Sequence, residues 1–416
     1  MNRLRQLWGY ARKVFDLGRR LRHTREGRVY PQIPAGPVVT SLFLGALLRV
    51  PSWLHLAKQT RKANWQRLVR HAAPLNHETF NYVSEFLALD ALRAHLYAVA
   101  CQVKANKGLE RAKLGGLLVV ALDANECFAS RSHCCAACCT RTVQVKGADG
   151  QVAEATEYYH RAVFAQVMGA DVLLDLEPIR PGEEEAAAAL RLLARLRREL
   201  GVRFFDVVSV DAWYTTTPFL RAVLKLGWET VAVLKRADLE ASQEADALAP
   251  AAAPEHFEAG GRQVALREVR EVSLTQAGQV QVRVVLADEH WEERQRRGKT
   301  WVRQARQSHW RWVATRGLDA VPARVIWQMG HGRWGIENQG FNQLTRDYHL
   351  KHCCHHHPVA MVAWLLLTLL AVNLTTLFYR HWLAPRAADC TLRDLVEAWR
   401  EALLEPADWA ACLDSS

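Results

Sequence analysis

Charged and apolar residues interleave over roughly the first 110 positions in a way that predicts helices through 42–58, 65–71 and 80–104, with Pro51 and Pro74 as breaks. From residue 114 the pattern changes to short apolar runs divided by turns. The run LGGLLVVALDAN reads as a buried strand ending at Asp123, and residues 158–169 and 171–179 read as two more strands joined at Gly169. Pro181 and Gly182 precede an alanine-rich helix over 183–200, acidic in its first turn and basic in its last, as the helix dipole favours. FFDVVSVDAWY (204–214) is another buried strand ending at an aspartate, so Asp211 repeats the position of Asp123. A helix near 218–226 and a strand at 228–235 follow. A hairpin combined with crossover helices predicts a mixed α/β sheet.

Residues 238–254 are low in complexity and read as a linker, after which alternation returns in 262–288 and 308–316, predicting a β-rich insertion. Beyond Pro322 the chain turns helical again through WQMGHGRWGIENQGFNQLTRDYHL. The segment 360–379 is apolar enough, and about long enough, to span a bilayer. It carries Thr368, Asn373, Thr375 and Thr376 and stands alone as a spanning candidate, so we read it as a buried core helix.

Half of the 416 residues are hydrophobic, which excludes disorder over most of the chain. Lysine and arginine number 54 against 43 aspartates and glutamates, and most of the cations are arginine, which suits repeated contact with phosphate. A basic run from Arg3 to Arg28 has two readings, a solvated helix face or a DNA contact. The ten cysteines cluster instead of spreading as a disulfide framework would, and residues 1–22 lack the features of a signal peptide, so a cytoplasmic protein is expected.

Two aspartates at strand ends plus a later helical glutamate can gather carboxylates at one sheet edge, which suits a hard divalent cation; equally, such aspartates cap turns. Resemblance adds to this. LDANECFAS, YYHRAVFAQV, PGEEE, VSVDAWY, VAVLK and GRWGIENQGFNQL are similar, in order and approximate spacing, to the core of bacterial insertion-sequence transposases of the DDE type. The resemblance spans about residues 116–380. It implies an RNase H-like fold, with flanking helices and a β-strand insertion before the third acid. It also implies metal-binding residues Asp123, Asp211 and Glu337, with Arg333 one helical turn before Glu337 and placed to hold a phosphate or to pair with that glutamate. The family signature carries a tyrosine and a lysine where this chain has Gly330 and Leu344, so the chain resembles a divergent branch in which Arg346, Tyr348 or Lys351 take over phosphate contacts. Trp310 and Trp312 in the insertion have two readings, stacking on an unpaired base or packing in the core.

A second cluster lies outside that signature. Cys135 and Cys138 form a C-x-x-C pair within HCCAACC, and His352 and His356 lie in LKHCCHHHPVA with three residues between them. Together they have the composition of a tetrahedral zinc site.

The sequence thus predicts four segments: a helical N-terminal region at 1–112, a catalytic core from 113–237 and 318–382, a linker and insertion at 238–317, and a helical tail at 383–416. The implied function is metal-dependent cleavage and strand transfer on double-stranded DNA at element ends, using Mg2+ or Mn2+. A homodimer on DNA is expected and no membrane is involved. The alternatives are a nuclease of the same fold that never joins strands and an inactive zinc-stabilised DNA-binding protein.

Overall fold

The computed structural model describes residues 3–146, 150–235, 240–275, 279–298, 300–384 and 390–403. Seven helices come first: α1 (Arg3–Phe15), α2 (Leu17–Arg22), α3 (Ala35–Leu47), α4 (Trp53–Gln59), α5 (Ala63–Val69), α6 (His77–Glu85) and α7 (Leu89–Ala105). The basic run is largely tied into its own surroundings. Arg3 donates to Cys390 Sγ at 2.7 Å, Arg20 to the Phe15 carbonyl at 3.0 Å, Arg28 to the Ile33 carbonyl at 2.7 Å, and Arg19 pairs with Asp16 at 2.5 Å.

The sheet contains β1 (Val119–Ser130), β2 (Cys139–Lys146), β3 (Val152–Val167), β4 (Val172–Pro178), β5 (Val207–Val210), β6 (Glu229–Val233), β7 (Glu255–Ala259), β8 (Arg262–Leu274), β9 (Val280–Arg297) and β10 (Thr300–Thr315). Strands β4, β3 and β1 pair antiparallel, while β1, β5 and β6 pair parallel. Helix α8 (Glu185–Leu200) connects β4 to β5, and α9 (Thr217–Leu226) connects β5 to β6. The spatial order β4-β3-β1-β5-β6, with that mixture of directions, is an RNase H-like fold. Asp175, wholly buried on β4, holds the flanking helices to it: it accepts from Tyr97 of α7 at 2.5 Å and from Arg195 of α8 at 2.7 Å.

Three elements differ from expectation. Strand β1 does not stop at Asp123 but runs on to Ser130, and the unforeseen β2 pairs with the first half of β3. Beyond the core edge these strands carry polar side chains, so burial gives no signal there and pairing alone makes the sheet. The stretch read as a linker contains α10 (Glu240–Leu248), with Ala241, Ser242 and Ala245 buried against β8; residues 238 and 239 lie outside the described residues. Its alanines, four apart, form a narrow apolar stripe that low complexity disguises. The insertion then returns through β10, which pairs antiparallel with β6, so that the RNase H-like strands and the insertion share one continuous sheet of ten strands.

After β10 come α11 (Ala323–Gly332), a π-helical turn (Ile336–Phe341), α12 (Asn342–Asp347), α13 (Pro358–Leu377) and α14 (Leu392–Ala402). Of the predicted tail, residues 385–389 and 404–416 lie outside the described residues. The apolar segment is α13, packed among α3, α6, α7 and β4, with 89% of its most apolar window buried. Its polar residues are satisfied internally: Thr368 and Thr375 donate to carbonyls one turn back, and Asn373 both accepts from the Leu173 N–H at 2.8 Å and donates to its carbonyl at 2.7 Å. The Asn373 amide thereby completes the outer edge of β4, where unpaired backbone groups would be costly to bury.

Candidate active site

Strands β1 and β5 run in parallel register with Ala121 opposite Ser209, so the next inward-equivalent positions, Asp123 and Asp211, reach the same edge of the sheet. Each aspartate engages the backbone beside it. Asp123 Oδ1 accepts from the Ala124 N–H at 2.8 Å, and Asp211 Oδ1 from the Trp213 N–H at 2.9 Å, which caps the tight turn after β5. Tyr214 fixes that turn from below by donating to Glu185 at 2.6 Å, and Thr215 by donating to the Val233 carbonyl at 2.7 Å. Capping and convergence are therefore compatible, because each carboxylate keeps a second oxygen.

The third acid arrives on the π-helical turn after α11. One extra residue per turn is a feature often found at functional sites, because it re-aims a side chain without ending the helix. Close contacts hold α11 on the sheet: Ser209 donates to the Met329 carbonyl at 3.1 Å, and a Cβ at Gly330 would lie 2.2 Å from the Trp312 indole nitrogen. Trp312 is 1% exposed and stacks with Trp310 at 5.8 Å between ring centres. Trp312 therefore belongs to the core, and its indole fills the space a tyrosine at position 330 would need. Leu344, in the place of the signature lysine, is also fully buried.

Glu337 and Asp123 meet through Arg333. One guanidinium nitrogen, Nη1, lies 2.9 Å from Asp123 Oδ2 and 2.9 Å from Glu337 Oε1. The side chain is 3% exposed and turned to the carboxylates, so of the two readings of Arg333 the structure shows the pairing with Glu337. Burial raises the Asp123 carboxyl to about 7; Arg333 opposes this, and the neighbouring Glu337 and Asp211 reinforce it. Asp123 and Glu337 meet at one buried guanidinium, and Asp211 lies near enough to add its charge to that of Glu337 in raising the Asp123 carboxyl. An open polar cleft of about 460 Å³ leads to it, lined by Asp123, Asn125, Glu337, Asn342 and Thr345. A set of carboxylate oxygens in a solvent-reaching cleft fits a hard divalent cation.

The substitutes expected for the missing phosphate contacts divide. Tyr348 is 2% exposed beneath the Arg49 guanidinium, 5.0 Å away, and is excluded from the surface. Arg346 and Lys351 stay exposed, the former paired with Asp347 and the latter donating to the Glu126 carbonyl. Sequence reasoning passed over Trp213, whose indole is 82% exposed two residues beyond Asp211; an exposed aromatic directly after a strand-end acid was the available signal.

The cysteine and histidine cluster also assembles, with one exchange. Cys135, Cys138 and His356 converge, but the fourth member is His160 of β3. His352 is exposed on the surface. The spacing of His352 and His356 places both on one face only within a helix, whereas residues 350–357 form no helix.

Residues 172–374 match the family profile described as the transposase DDE domain. No curated protein matches the sequence. Among solved structures, a piggyBac transposase synaptic complex with hairpin DNA is similar at 9% identity and a TM-score of 0.40, covering 99% of this chain and 83% of the other.

Proposed function

We propose that this chain, whose residues 172–374 match the transposase DDE domain, cuts double-stranded DNA at the ends of a mobile element and joins the freed 3′ ends to target DNA. The observation that supports this reading is the matched register that sets Asp123 and Asp211 on neighbouring parallel strands of an RNase H-like sheet, with Glu337 joined to Asp123 through Arg333. These three residues would hold Mg2+ or Mn2+, which supplies Lewis-acid stabilisation for in-line displacement at phosphorus. The β1 backbone, the turn after β5 and the π-helical turn fix the two aspartates and the glutamate before substrate arrives, so little reorganisation is left for the reaction. Arg333 acts as a positioning residue that keeps Asp123 and Glu337 at a common distance and offsets their repulsion. The exposed Trp213 indole, two residues beyond Asp211, offers a face on which a displaced base can stack. Arg346 and Lys351 are exposed cations that suit the DNA backbone. Two ends must be held together for joining, so the active assembly is a homodimer on DNA.

The test is cleavage of plasmid DNA carrying the ends of this gene's own element, with Mg2+ or Mn2+, comparing wild type with Glu337→Gln. Losing a stabilisation of several kcal/mol lowers the rate by about two orders of magnitude or more. Metal-dependent nicking at the ends that vanishes in the variant, together with joined product, supports the proposal. Nicking without joined product identifies a nuclease; end binding without any cleavage identifies a DNA-binding descendant; equal cleavage by both proteins removes Glu337 from the site.

A further inference from the structure

The four side chains brought together at the root of the β1–β2 arm come from three separate parts of the chain. Cys135 and Cys138 lie in the loop between β1 and β2, His160 on β3 opposite Phe128, and His356 in the segment just before α13. Their donor atoms all lie within 4.8 Å of one another. The two sulfurs are 3.8 Å apart, the two Nε2 atoms 3.2 Å, and the sulfur–nitrogen separations are 3.5 Å for Cys135–His160, 3.2 Å for Cys138–His160 and 3.3 Å for Cys138–His356.

Those distances discriminate between hydrogen bonding and coordination. A tetrahedral zinc ion with bonds of about 2.3 Å to sulfur and about 2.0 Å to nitrogen sets its ligands apart by about 3.8 Å for two sulfurs, about 3.3 Å for two nitrogens and about 3.5 Å for mixed pairs. The five separations fall within about 0.3 Å of these values, and the Cys135–His356 pair lies within 4.8 Å. Two imidazole nitrogens at 3.2 Å can share at most one proton, and thiols gain little from each other as hydrogen-bond partners. Charge points the same way: two thiolates neutralise one divalent cation, and two neutral imidazoles complete the set without altering that balance. The Nδ1 atom of His356 is buried with no partner, while its ring meets Phe128 edge-on at 5.2 Å.

We propose that Cys135, Cys138, His160 and His356 bind one zinc ion as a closed, structural S2N2 site. Binding displaces two thiol protons to solvent and leaves the site neutral, with no open position for chemistry. The ion staples the chain after the glutamate-bearing helix to the arm that extends from the first aspartate's strand. Cys134, His352, Cys353 and Cys354 take no part.

The test uses the full chain, purified without added metal and dialysed against a weak chelator. Elemental analysis is expected to find one zinc per chain. Replacing it with Co2+ is expected to give the intense visible bands of a tetrahedral site and a thiolate-to-cobalt charge-transfer band. Cys138→Ser and His160→Ala should fall from one equivalent to none, whereas His352→Ala and the double variant Asp123→Asn, Glu337→Gln should retain it. Absence of zinc with a weak octahedral cobalt spectrum overturns the site, and the wild-type spectrum gives that answer even where variants fold poorly. Retention in His160→Ala with loss in His352→Ala overturns the ligand assignment. Loss in the carboxylate double variant places the ion in the other cleft. None of these readouts depends on cleavage, so the proposed DNA chemistry and the zinc site stand or fall separately.

Discussion

Arg333 is the residue on which the geometry of the acids depends, because one of its nitrogens touches two of the three carboxylates. Arg333→Ala leaves Asp123 and Glu337 facing each other with no cation between them, at a cost of about 3 kcal/mol. Thermal unfolding should show the loss, and millimolar Mg2+ should raise the midpoint of the variant more than that of wild type, since the ion restores the missing charge. Gly330 gives a second residue-scale prediction. Gly330→Ala drives a methyl into the Trp312 indole and should destabilise by about 1–3 kcal/mol, measurable by urea unfolding, while displacing α11 and slowing cleavage. The matched placing of the two aspartates was legible in the sequence, because a buried apolar run closed by an aspartate occurs twice. His160 was not legible: it stands inside a strand whose pairing partner is set by register, and no spacing rule ties residue 160 to 135 or 356. Gly330 and Leu344 looked like lost phosphate contacts, yet both answer to packing, which no linear motif records.

At the scale of elements, a buried carboxylate joins α11 to the insertion, whose strands β8, β9 and β10 all contact the helix. Glu289 of β9 accepts from Trp327 at 2.8 Å, pairs with His331 at 2.5 Å and Arg262 at 2.8 Å, and accepts from Ser308 at 3.2 Å. These partners from α11, β8 and β10 outweigh its burial and hold the carboxyl down to about 2. A depressed acid contributes stability above its unfolded value near 4.5, and that contribution is lost as pH falls through about 2. Wild type should therefore exceed Glu289→Gln in unfolding free energy at pH 7, and the gap should narrow steadily below pH 4.5; a gap independent of pH would remove the ionised carboxylate from this account. Helix α13 supplies the second case. Asn373→Ala orphans the N–H and carbonyl of Leu173 and should cost about 1–3 kcal/mol for each, read from the denaturant midpoint. Its four polar residues within an otherwise apolar run had marked it as interior, whereas α10 escaped notice because alanine repeats resemble a linker when its neighbours in space are unknown.

For the molecule as a whole, the order of segments along the chain is also an order in time. Helices α3 and α7 are complete by residue 105, yet the apolar surfaces they bury against α13 must wait for residues 358–377. At a synthesis rate of about 5–20 residues per second the wait is about 13–50 s, during which those surfaces are open to chaperones or to wrong partners. The same delay governs the acids. A growing chain holds Asp123 and Asp211 well before Glu337 emerges, and the helix carrying Glu337 can settle only after β10 has joined β6. The set of three acids is thus completed late in the birth of the protein, and fragments released early from the ribosome carry the two aspartates without Glu337.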